Sequence, residues 1–233
     1  MRLPKIRPVL VLAGILAAGG CSSADMLTGP AGPRRAVTPP AHDPIIFVHG
    51  WHGTLSSFST MIGRFQKDGW TSAELYNWDY NSDQSNATTA QQLSAKIDSV
   101  LAATGAARVD IVSHSMGALS SRYYAKNLGG AAKIDAWVSL GGPNHGTTTA
   151  SACFSTSCVE MRPSSTFLNA LNATDETPGT PRYATWSSPC DEVINPHSSV
   201  ALQGATNTTT ACDTHSGLLS DATVYAQVRD WVK

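Results

Sequence analysis

Charge is scarce in this sequence. Only 14% of its 233 residues are Asp, Glu, Lys or Arg, and the formal net charge is −1. Beyond the first residues no basic run could neutralise a row of phosphates, which argues against nucleic acid as a partner. The apolar run from Val9 to Ala18 is too short to span a bilayer comfortably. Cysteines number five, and the close pair Cys153 and Cys158 has no matching second pair, so a structural zinc site is not expected. No internal repeat is visible. What is present is a 42% hydrophobic chain, enough for one domain with a substantial core. Its polar surface must be carried by Ser, Thr, Asn and Gly.

The first twenty residues have the make-up of an export leader. Arg2, Lys5 and Arg7 precede the apolar run, and Ala17, Ala18, Gly19 and Gly20 lead into Cys21. This pattern resembles a bacterial lipoprotein signal, with Cys21 as the lipidated first residue. It departs from that pattern at Ala18, where Leu is usual. Ordinary cleavage with release, or an uncleaved anchor, are the alternatives. The mature chain is therefore expected outside the cytoplasm, as a cell-surface lipoprotein or a secreted protein. Residues 21–43, with Pro30, Pro33, Pro39 and Pro40, read as a flexible tether. Residues 44–233 are left as the folded domain, expected to be a monomer. The cysteines other than Cys21 are Cys153, Cys158, Cys190 and Cys212, an even number that reads as two disulfides with three possible pairings.

From Pro44 onward, short β-branched runs alternate with longer windows of helical spacing. Strands are expected at 45–48, 73–78, 108–112, 134–140, 183–186 and 200–203. Helices are expected at 57–67, 88–103, from Gly117 through Leu128, and at 221–232. The run Ile45-Ile46-Phe47-Val48 is apolar throughout, as for a strand buried on both faces. This alternation predicts an α/β fold with a mostly parallel sheet covered by helices on both sides. In such sheets, active groups gather at the carboxyl ends of the strands.

Several polar, glycine-flanked clusters fall at those ends. Ser113-His114-Ser115-Met116-Gly117 lies between a strand and a helix. A nucleophilic serine on such a turn needs small neighbours two residues either side, because strand and helix cross closely there. Gly at both places is commoner, so Ser113 is a small departure. Taken alone, Ser115 could equally be an ordinary helix N-cap. His49-Gly50-Trp51 follows the first strand, where acyl-transfer chemistry needs a backbone N–H aimed at the developing oxyanion. The residue after the serine, Met116, offers a second such donor.

An acid belongs after a later strand, and a base later still. Asp191 lies in the loop beyond the strand ending at Trp186, with Glu192 as second choice. Asp135 begins a strand, at the wrong end; Asp213 is too near His215 in sequence to reach behind its ring. Of the seven histidines, only His197 and His215 follow Asp191. His215 sits between the last strand and the terminal helix, whereas His197 follows the acid too soon. His114 is expected to pack beneath the turn.

With Val48-His49-Gly50-Trp51, Ser113 to Gly117, Leu140 to Thr147 and Ser188 to Pro196 in view, the chain from Pro44 onward resembles the small bacterial lipases and esterases of the α/β-hydrolase fold, class 2 lipases in particular. The resemblance implies a minimal α/β-hydrolase that cleaves carboxylic esters of small molecules or lipids, without metal or cofactor. It implies Ser115 as nucleophile, Asp191 as acid, His215 as base, Trp51 and Met116 as oxyanion donors, and Asn144 to Thr147 beside the acyl pocket. If that triad holds, the loops carrying Cys190 and Cys212 converge, which makes this pair a bond and leaves Cys153 with Cys158. A polyester, a thioester or acyl transfer would use the same acyl-enzyme. From Pro143 to Pro181 there is only a short apolar patch around Phe167, Leu168 and Leu171, so no large lid is expected.

Overall fold

The computed structural model describes residues 38–233. The expected leader, Cys21 and most of the expected tether lie outside them. Six strands form one sheet: β1 (Ile45–Val48), β2 (Leu75–Trp78), β3 (Val109–His114), β4 (Ile134–Leu140), β5 (Arg182–Ser187) and β6 (Thr206–Thr209). Their order is β2-β1-β3-β4-β5-β6, and every neighbouring pair is parallel. The helices are α1 (Ser59–Lys67), α2 (Asn86–Thr104), α3 (Gly117–Asn127), α4 (Thr156–Glu160), α5 (Thr166–Asn172) and α6 (Ala222–Trp231).

The two faces of the sheet explain the apolar run in β1. Successive side chains of a strand point to opposite faces. Ile45 and Phe47 pack with Phe58, Met61 and Phe65 around α1 and with Val224 and Val228 of α6. Ile46 and Val48 pack with Leu93, Ile97 and Val100 of α2 and Tyr124 of α3. With helices on both sides, no position of β1 can be polar. Helix α2 starts where the Ser85 hydroxyl accepts the Ala87 N–H, and stops where Gly105 turns left-handed at φ +70°.

One expected strand is wrong. Residues 200–203 form no strand; Val200 ends a 3-10 turn that begins at His197, and the sixth strand lies later, at Thr206–Thr209. Val200 and Leu202 are buried, which gave the segment its strand-like pattern. Their backbone groups, however, are met by side chains rather than by a neighbouring strand. Asn144 Nδ2 donates to the Val200 carbonyl, and the Leu202 N–H donates to Asn207 Oδ1. Strand β6 is an edge of polar residues joined to β5 by the backbone ladder and by hydroxyl and amide bonds such as Thr185 to Asn207, so it carries no hydrophobic period.

The end of the expected tether is also engaged. His42 stacks on Trp70 at 4.1 Å, and its backbone N–H and Nδ1 meet Glu74 Oε1 at 2.9 and 3.1 Å. Thr71 donates both its N–H and its hydroxyl to Glu74 Oε2. Burial opposes ionisation of Glu74, yet these bonds outweigh it and bring the carboxyl from 4.5 down to about 2. A depressed folded-state value stabilises the fold above the unfolded value and loses that contribution as pH falls. Glu74→Gln should therefore cost about 2 kcal/mol at pH 7, and the gap to wild type should close as pH drops from 4.5 toward 2. Urea melts across that range test this; a constant gap would contradict it.

Candidate active site

Ser115 stands on the turn between β3 and α3 with φ +53°, a left-handed conformation unusual for a residue with a side chain. The turn closes because its neighbours are small. A Cβ on Gly117 would come within 2.4 Å of the Val48 carbonyl oxygen, and one on Gly50 within 2.6 Å of the Ser115 Cβ. Ser113 takes the place where glycine is commoner because its hydroxyl has a use: it donates to the Val138 carbonyl of β4 at 2.6 Å.

Asp191 and His215 come from loops 24 residues apart and meet in the structure. His215 Nδ1–H donates to Asp191 Oδ2 at 2.8 Å, and both side chains are buried. The other carboxylate oxygen accepts the N–H groups of Val193 and Ile194, each at 2.9 Å. Burial opposes the charge on Asp191. The His215 hydrogen bond and charge, with those two N–H donors, outweigh it and hold the carboxyl below its usual range. Gly141, at φ +55° after β4, permits this pairing, since a Cβ there would lie 3.1 Å from Asp191 Oδ2 and 3.2 Å from His215 Nδ1.

His114 lies against His215. Its Nε2–H donates to the His215 carbonyl at 3.0 Å, and burial, with the neighbouring His215, pushes its pKa down to about 3. It is a neutral support. His197 donates to the Asp191 carbonyl at 2.9 Å and so pins the Asp191 loop. Glu192, the second choice for the acid, instead accepts the His215 backbone N–H at 3.0 Å. Asp213 bonds through its backbone to Ser188 Oγ, and Asp135 pairs with Arg108 and Arg182.

Ser115 and His215 border the same two cavities, one of about 370 Å³ and one of about 280 Å³, with Trp51 between them. Among the described residues no hydrogen bond joins the Ser115 hydroxyl to His215, a looseness common in catalytic sites without substrate. The N–H groups of Trp51 and Met116 likewise have no acceptor among the described residues. Thr147 borders the smaller cavity and donates its hydroxyl to the Val193 carbonyl.

Sequence reading missed the strut that holds the Trp51 loop. Trp51 Nε1–H and His52 Nε2 meet Asp83 Oδ1 at 2.8 and 3.2 Å, and the His52 N–H donates to Ser82 Oγ at 2.9 Å. These partners lie about thirty residues downstream, in the loop between β2 and α2, and no local pattern announces them.

Two disulfides are present, Cys153–Cys158 and Cys190–Cys212, with Cα separations of 5.7 and 5.0 Å. The second ties the loop of Asp191 to the loop of His215. Closing that loop should stabilise by about 3 kcal/mol in the chain-entropy model. Reduction, or Cys190→Ser, should lower the melting temperature and the activity together, because small displacements between reacting groups are expensive. Calorimetry and turnover on the reduced protein check this; unchanged turnover would show that the bond serves stability alone.

With that geometry in place, comparisons with known proteins place the chain. The family model described as Lipase (class 2) matches residues 42–229, and the chain belongs to this family. It is 30% identical over 129 residues to a triacylglycerol lipase of Burkholderia plantarii, covering 51% of this chain and 35% of that protein. It is 36% identical over 92 residues to a triacylglycerol lipase of Pseudarthrobacter phenanthrenivorans, covering 35% of this chain and 28% of that protein. The matches thus span about a third of those relatives. Among solved structures, a Bacillus licheniformis lipase in mature form superposes with a TM-score of 0.73 at 19% identity, covering 85% of this chain and 96% of that one. Aspergillus fumigatus lipase B superposes at 0.72 and 18% identity, covering 82% and 54%. These two likenesses bear out the expected α/β-hydrolase fold.

Proposed function

We propose that this chain is a serine carboxylic ester hydrolase, with Ser115 as nucleophile, His215 as base and Asp191 as its orienting acid. The observation that carries the reading is the buried 2.8 Å bond from His215 Nδ1–H to Asp191, beside a serine held in a left-handed turn. That bond fixes the tautomer and leaves Nε2 as the free acceptor. His215 takes the Ser115 proton as the oxygen attacks the ester carbonyl. The oxyanion forms against the N–H groups of Trp51 and Met116, each contributing about 3 kcal/mol in comparable sites. The alcohol leaves with the proton from His215. Water, activated by the same nitrogen, then attacks the acyl-enzyme, releasing the acid and restoring Ser115.

The membership in a lipase family and the triacylglycerol lipase relatives support the same chemistry. Labelling by a fluorophosphonate probe, with a panel of p-nitrophenyl esters, tests it; an unlabelled, inactive chain would refute it.

The substrates we infer are short- and medium-chain esters, taken from solution. Helices α4 and α5 are short, and Cys158, Leu168 and Leu171 are buried in a cluster with Met116 and Leu119. Those buried contacts pin α4 and α5 and argue against a lid that lifts. Rate against ester concentration should follow a simple saturation curve through the solubility limit, and a sharp jump at that limit would contradict this.

We also infer export. The disulfides fit an oxidising compartment, and the leader-like residues 1–20 with Cys21 point to a lipid anchor joined to the domain by the residues that precede His42. Incorporation of radiolabelled palmitate, lost in Cys21→Ala, tests the anchor. Among the described residues no helix is long and apolar enough to cross a membrane.

A further inference from the structure

The two cavities that meet at Ser115 differ in chemistry. The smaller is walled by Ala150, Met161, Val193 and Ile194, with Thr147 and Thr149 at its edge. Hydrocarbon gains there by leaving water. The larger is mixed: beside Trp51 and Leu219 it carries a row of hydroxyls, Ser56, Ser57, Ser59 and Thr60 around the start of α1, and Ser216 and Ser220 beyond the base. Each hydroxyl carries one donor and two acceptor lone pairs. Ser59 and Ser220 donate to the carbonyls of Ser56 and Gly217, which leaves their lone pairs for a further donor.

We propose that the larger cavity binds the alcohol half of the ester and selects a polyol with free hydroxyls. The preferred substrate class is then a monoester or partial ester of a polyol with a short or medium aliphatic acid, rather than a fully acylated one. This rests on the acyl-enzyme reading above. An ester lies across the nucleophile with its acyl chain to one side and its alkoxy group to the other. The smaller cavity is the more apolar of the two, so an acyl chain seated there turns the alkoxy group toward the serines and Thr60. A triester would press two more hydrocarbon chains onto those hydroxyls, removing water without returning a hydrogen bond. A polyol monoester exchanges water for protein hydroxyls instead. The bond broken is the carbonyl carbon to alkoxy oxygen bond; that oxygen leaves as the free polyol with the proton from His215.

The test uses glyceryl monobutyrate, glyceryl tributyrate and ethyl butyrate, all dissolved below their solubility limits. p-Nitrophenyl butyrate serves as a reporter of the acyl-enzyme steps. For the wild-type chain, kcat/KM on the monobutyrate should exceed that on the other two glyceryl and ethyl esters by about tenfold. Thr60→Val keeps the shape and removes a hydroxyl, and Thr60→Val combined with Ser220→Ala removes two. The pair should lower the monobutyrate value by roughly three- to tenfold relative to ethyl butyrate, whose alkoxy group has no hydroxyl to offer that wall. Tributyrate hydrolysed as fast as monobutyrate would overturn the proposal while leaving the acyl-enzyme reading standing. So would a double variant whose loss falls equally on every ester. Failure to turn over any of the four, with no fluorophosphonate labelling, would sink the underlying reading and this proposal with it.

Discussion

Ser115→Ala should lower ester hydrolysis by on the order of a millionfold, leaving the residual rate that oxyanion donors and binding supply alone. The loss should come without unfolding. The replacement keeps the Cβ that packs against Gly50, and with it the same left-handed backbone at φ +53°. Only the hydroxyl goes, so the melting temperature should hardly move. Ser115→Gly separates the two roles of this position. It is equally inactive, but glycine adopts a positive φ at no steric cost, so about 1 kcal/mol of stored strain is released. A rise in the melting temperature of a few degrees relative to Ser115→Ala is the expected reading. An alanine variant keeping more than a hundredth of the activity, with no second nucleophile, would remove Ser115 from the mechanism.

Asp191→Asn should cost about four orders of magnitude in kcat. The amide can still accept the Val193 and Ile194 N–H groups through its oxygen, as Asp191 Oδ1 does now. Its NH2 then faces His215 Nδ1, the atom now bonded to Asp191 Oδ2. Donating there makes Nδ1 an acceptor and moves the ring proton to Nε2, the nitrogen needed to receive the serine proton. The variant should fold and bind substrate with a KM near wild type. Glu192→Gln is the contrast. Its side chain keeps an acceptor for the His215 backbone N–H, so turnover should fall less than about tenfold. A reversed ranking, with Glu192→Gln the more damaging, would move the orienting role to Glu192.

The parts of this molecule differ in how far the sequence reveals them. Strand β1 is plain because helices cover both its faces and every position must be apolar. Helix α2 is plain because one stripe is buried and Gly105 ends it. Strand β6 is invisible, since an edge strand of threonines and asparagine pairs by backbone and needs no hydrophobic period. The run 200–203 misleads for the opposite reason: its apolar residues are buried while Asn144 and Asn207 meet its backbone.

The site divides along the same line. The loop addresses of Ser115, Asp191 and His215 can be read from chain order, because a parallel sheet brings all its carboxyl ends to one edge. Their meeting depends on a close approach at Gly141 and on cross-loop bonds from Glu192 and His197. The Asp83 strut on Trp51 and the contrast between the two cavities have no local signature at all. Sequence by itself determined the layers, the carboxyl ends of the first five strands and the residue types capable of acyl transfer. These follow from periodicity and from what each side chain can do within a few residues. Tertiary structure alone decided which loops touch, at what distance, and which wall faces which half of a substrate. Those contacts join residues far apart in the chain, and only the packing of the whole sheet sets their separation.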